Sequence, residues 1–109
     1  MLQSETVLLA TNPTSAIARM CKHFSHKVPA QWDANSARIE FPTGNCEMAS
    51  REESVHLLCR AADAEAMANL QQVITRHIPK LLWRDEQTVT WSPVVASTEA
   101  KEASGAGDM

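Results

Sequence analysis

Ile17, Met20, Cys21, Phe24 and Val28 recur at i, i+3, i+4, i+7 and i+11, the apolar stripe of a helix lying on a core. Asn12 suits the N-cap and Pro13 the first helical position, while Pro29 disfavours helical geometry at Val28. The pattern predicts one helix over residues 12–28. A second stripe, Met67, Leu70, Ile74 and Ile78, widened at one edge by Val73 and His77, predicts a helix that Asp63 caps and Pro79 ends. Between the helices the period changes to two. Ala37, Ile39 and Phe41 alternate with Arg38 and Glu40; Cys46 and Met48 flank Glu47; Val55, Leu57 and Cys59 alternate with His56, Leu58 and Arg60. Asp33-Ala34-Asn35-Ser36, Pro42-Thr43-Gly44-Asn45 and the polar residues 50–54 are the turns between extended segments, the first following Gln31-Trp32-Asp33. A short apolar run over residues 5–11 predicts a first strand, and Thr88-Val89-Thr90-Trp91 a last one after a polar corner at Arg84-Asp85-Glu86.

The predicted order is β-α-β-β-β-α-β. Alternating strands make a sheet with one apolar face, and two amphipathic helices are its natural cover. The fold class expected is therefore α+β, a two-layer sandwich of a mainly antiparallel sheet with two helices on one face. Residues 1–92 form a single domain, and residues 93–109, rich in Ser, Ala, Gly, Glu and Lys without periodicity, read as a disordered tail.

Composition narrows the function classes. A length of 109 residues and a formal charge of −3 suit one small domain without a strongly cationic surface, so nucleic acid is not an expected partner. The first residues lack the pattern of a signal peptide and no apolar run reaches the length of a membrane span, so a cytoplasmic protein is expected. Cys21, Cys46 and Cys59 are odd in number and fall at core-facing positions, which predicts buried free thiols. Tyrosine is absent, so the aromatic mass of the core falls to Phe24, Phe41, Trp32, Trp83 and Trp91. No Gly-rich phosphate loop, Gly-x-Ser-x-Gly or Cys-x-x-Cys is present.

The first helix carries the candidate chemistry. Arg19, Lys22, His23 and His26 share the side opposite the apolar stripe, with Lys27 beside them. Such a face is solvated, or it binds an anionic partner with two histidines supplying a pH response. His23 and His26 also invite a metal, since they lie about 60° apart around the helix, but Cys21 points about 200° away from His23 into the core. A zinc site normally takes three or four protein ligands, so a third would have to come from His56 or from a carboxylate such as Glu40. His77 reads as a histidine packed at a helix end and favoured there by the dipole.

The string Cys21-Lys22-His23-Phe24-Ser25-His26-Lys27-Val28-Pro29 resembles a bacterial family called domain of unknown function 2218. Ile39-Glu40-Phe41-Pro42-Thr43-Gly44-Asn45-Cys46, the Arg76-His77 pair and Trp83-Arg84-Asp85-Glu86 running on to Trp91 agree with it, over roughly residues 4–92. Relatives occur alone or joined to siderophore-interacting flavin reductases. The resemblance implies a link with iron acquisition and carries over no catalytic residue. Two readings stay open. One is a non-catalytic accessory domain binding a siderophore-interacting reductase or an anionic small molecule through Arg19, Lys22, His23, His26 and Lys27. The other is a small metal- or haem-binding protein using His23 and His26.

Overall fold

The computed structural model of the chain describes residues 1–82 and 89–96. Its elements are β1 (Leu2–Leu9), α1 (Pro13–Phe24), β2 (Ala30–Trp32), β3 (Ser36–Phe41), β4 (Gly44–Ser50), β5 (Ser54–Ala61), α2 (Ala64–Leu81) and β6 (Val95–Ala96). They form the α+β two-layer fold that the periodicities predict. The strands make one sheet in the order β2-β3-β4-β5-β1-β6, antiparallel throughout. A meander runs from β2 to β5, and β1 closes against β5 because α1 carries the chain across the sheet to its far edge. Both helices cover the same face, α1 over β2 to β5 and α2 over β5, β4 and β1.

Between the layers, Leu8, Ile39, Val55 and Leu57 of the sheet meet Ile17, Met20, Leu70 and Ile74 of the helices, all at most 1% exposed. All three thiols lie in this layer, buried and free. Cys46 and Cys59 stand opposite one another on β4 and β5. Their mutual hydrogen bond and their burial hold the Cys46 thiol well above its ordinary range. Burial also pushes the Cys21 thiol up to about 11.

The local signals act as expected at the helix starts. Asn12 Oδ1 accepts from Ser15 N at 3.0 Å and Asp63 Oδ1 from Ala66 N at 2.8 Å. Asp33 builds its turn by accepting from the amides of Asn35 and Ser36, which hold its carboxyl below the usual value. Gly44 opens β4 with φ +157°, and a β-carbon there would stand 2.2 Å from the Arg60 carbonyl oxygen.

Several boundaries differ from the pattern. α1 stops at Phe24, not Val28: Ser25 N, Lys27 N and Val28 N fold back on the carbonyls of Cys21 and Phe24, turning the chain into β2 ahead of Pro29. α2 continues through Pro79 to Leu81. Buried Ile78, Leu81 and Leu82 anchor that last turn, and Leu82 N bonds Ile78 O at 2.8 Å. β1 begins at Leu2, three residues before the apolar run: Leu2, Gln3 and Ser4 pair with Ala61, Arg60 and Cys59, and Ser4, like Thr6, is polar at an inward position. Their hydroxyls donate to the carbonyls of Ser92 and Thr90.

That pairing also explains the last strand. Residues 89–92 are irregular, held beside β1 by those hydroxyls and against α2 by Trp91 Nε1 donating to Thr75 Oγ1 at 2.9 Å. The ladder forms later, at Val95–Ala96 against Leu2 and Gln3, past Pro93, which has no N–H to give. These two residues lie within the stretch expected to be a tail; residues 97–109 lie outside the described part. Trp32 is exposed rather than core, since it ends β2, a three-residue strand at the edge of the sheet. Trp83 and the Arg84-Asp85-Glu86 corner lie outside the described residues. Among the described residues, no helix is long and apolar enough to cross a membrane.

Candidate functional site

α1 and α2 end side by side, and both ends are basic. Lys22 and His23 occupy the last turn of α1, and Lys80 that of α2. Cations there face the negative end of the helix dipole, which favours them by about 0.3–1 kcal/mol each. Arg19 joins the two helices, its Nη1 donating to Leu81 O at 3.1 Å.

At the junction the two helices bring two histidines together. His23 Nε2 lies 3.2 Å from His77 Nδ1, within hydrogen-bond reach, with ring centroids 4.8 Å apart. Phe24 supports both rings edge-on, at 5.1 Å from His23 and 5.4 Å from His77, and is itself braced by Phe41 of β3 at 5.1 Å. Both histidines are half-buried. Burial lowers the pKa of His77 below the ordinary 6.5, and the charges of His23, Arg76, Lys80 and Lys27 lower it further. A helix dipole acting alone would raise it, so the sequence expectation for His77 is corrected: desolvation and the crowd of cations outweigh the dipole.

The five residues expected on one helical face therefore separate into different settings. Lys22 is exposed on α1, and Arg19 is exposed but tied to the end of α2. His23 turns inward to His77 instead of standing beside His26. His26 and Lys27 belong to the turn after α1, both exposed, and Lys27 is near enough to act on His77. Ser25 donates its hydroxyl to Lys22 O, so it is no nucleophile for either histidine. Arg76, His77 and Lys80 are the additions that sequence reasoning left out of the site. The available signal was the shared basic ending of two helices that must lie in one layer.

The three-ligand metal site drawn from His23 and His26 is not assembled. His56 and Glu40 alternate with the buried residues of β5 and β3 and lie on the open face of the sheet, away from both helices. Among the described residues, no group of three or more His, Cys, Asp or Glu side chains is placed to hold a metal ion. That open face carries a broad trough of about 710 Å³, bordered by Trp32, Arg38, Glu47, His56 and Leu58. Charges of both signs pair there: Glu47 accepts from Arg38 at 2.8 Å and forms an ion pair with Arg60 Nη1 at 3.1 Å, and Arg38 also bridges to Glu40.

Residues 5–92 match the sequence profile of a family described as an uncharacterized protein conserved in bacteria, DUF2218. The fold is similar to the NMR structure of PA4090 from Pseudomonas aeruginosa, with a TM-score of 0.70 and 22% sequence identity, over 85% of this chain and 97% of that one. No curated protein matches.

Proposed function

The chain belongs to the DUF2218 family, and from that premise we propose that it is a non-catalytic accessory domain that binds an anionic partner through the cationic end shared by α1 and α2. The process is iron–siderophore handling in the cytoplasm. The partner is the acidic surface of a siderophore-interacting reductase or the carboxylates of the siderophore itself. One observation carries the reading: among the described residues, the charged groups that act on His77, from two helices and a turn, are all cationic. Like charges so placed weaken one another and the fold slightly, whereas a face serving only solubility would mix signs, as the open sheet face does. An anion docked there offsets that repulsion.

The test is charge reversal at exposed positions that support neither core nor cap. Lys22→Glu with Lys27→Glu is expected to abolish binding to the reductase or to a carboxylate siderophore, measured calorimetrically at low salt, while the circular dichroism spectrum stays native. Wild-type affinity is expected to fall as salt is raised. Equal binding by the double variant at low salt would show the basic end to be merely solvated.

A further inference from the structure

We propose that His23 and His77 form a proton-gated seat for a single oxyanion group, so that an anion settling at this end of the molecule brings a proton with it. The inference rests on the cationic-end reading and adds what controls it.

The ring nitrogens set how many protons the pair can hold. Each neutral imidazole has one N–H and one lone pair, so two neutral rings facing at 3.2 Å hold one proton between them and need no third partner. A first added proton keeps that bridge as a charged hydrogen bond. A second places an N–H on both facing nitrogens. The bridge is then lost, and two donors of like charge point into the same gap. Phe24, edge-on to both rings, takes up space that water would otherwise fill on that side. Lys27 from the turn and Arg76 and Lys80 from α2 bear on the same ring, and β3 contributes the uncharged Phe41 behind Phe24. Arg19, also nearby on α1, is engaged with Leu81 O. Among the described groups acting on the pair, only cations face it. The empty seat therefore resists its second proton.

An oxyanion changes that balance. One oxygen of a carboxylate, sulfate or phosphate accepts from both N–H groups, and the surrounding cations, unfavourable to the protonated pair alone, become favourable to the bound ion. By linkage, each proton taken up on binding makes the affinity rise about tenfold per pH unit of acidification through the histidine range. His26 and His56 lie outside the seat, the latter on the opposite face of the sheet.

Sulfate is the suitable probe, because its charge does not change across this range. The full chain is titrated with sulfate at about pH 5.5 and about pH 7.5, with ionic strength held constant by chloride, while the histidine ring signals are followed by NMR. The expected result is a saturable shift of the His23 and His77 signals at the lower pH, an unmoved His56 signal, and affinity falling about tenfold per pH unit above it. His77→Asn, which keeps a polar side chain that cannot be charged, is expected to weaken sulfate binding at the lower pH and to make its pH dependence shallower, since one titratable ring of the pair is left, and His23→Asn to do the same. Sulfate that moves all four histidines alike, that leaves the pair unmoved, or that binds His77→Asn with the wild-type pH profile overturns the seat. The wild-type titration decides the matter even if a variant fails to fold. Loss of partner binding in the Lys22→Glu, Lys27→Glu protein together with unmoved histidines would leave the cationic end standing and remove only the seat.

Discussion

The two faces of this small protein handle charge in opposite ways. On the open side of the sheet, Arg38 and Arg60 converge on Glu47, and Arg38 reaches Glu40 as well, so these two cations find carboxylates on their own or a neighbouring strand. At the joined helix ends, Lys27, Arg76 and Lys80 gather about a histidine pair with no described carboxylate acting on it. Exposed ion pairs contribute at most about 1 kcal/mol, so neither arrangement is demanded by stability. The contrast lies in the signs brought together: the sheet face pairs cations with carboxylates, and the helix end gathers positive charge in a chain whose net charge is negative.

The strongest way to break the comparison is to remove what holds the helix end in shape. Phe24 is 7% exposed and touches His23, His77 and Phe41. Phe24→Ala is expected to cost about 3–5 kcal/mol in urea unfolding and to separate the two histidines, seen as loss of their mutual NMR contacts. Next in size, Glu47→Ala takes from Arg38 and Arg60 the carboxylate with which both form ion pairs. Because the Arg60 side chain is only 12% exposed, the expected cost is about 1–2 kcal/mol. It should leave anion binding at the far side of the molecule intact; a variant as stable as wild type would mean that the matched face contributes nothing.

The smallest effect is the pH dependence. His77 has a folded pKa below its unfolded value, so the unfolded chain takes up its proton first as pH falls. Its contribution to stability is present above about pH 6.5 and is lost as pH drops through that value toward the lower folded pKa. Wild type is therefore expected to lose more stability than His77→Asn between about pH 7 and about pH 5, by a margin under about 1 kcal/mol for so incompletely buried a ring. Parallel curves would mean that neither burial nor the surrounding cations act on His77 in solution.

Much of this architecture was legible from spacing. The 3.6-residue stripes picked out Ile17, Met20, Cys21 and Phe24 and then Met67, Leu70, Ile74 and Ile78, and every one of them is buried. The alternation over residues 37–60 identified β3, β4 and β5 with their inward faces. Ser4 hid the start of β1, because its inward polarity makes sense only once the carbonyl of residue 92 lies beside it. Pro79 read as a stop, and the buried residues just beyond it override the local penalty.

The candidate site divides along the same line. That α1 carries basic residues, that α2 ends in others, and that both helices bury one stripe is written in short-range periodicity, since each depends on neighbours three or four positions away. That His23 meets His77 rather than His26 or His56 depends on residues 54 positions apart. The early turn after Phe24 and the packing of both helices over the same strands decide it. Local pattern determines which side of each element seeks the core; only the tertiary structure decides which solvent-facing groups then share a corner, because charge carries no register of its own.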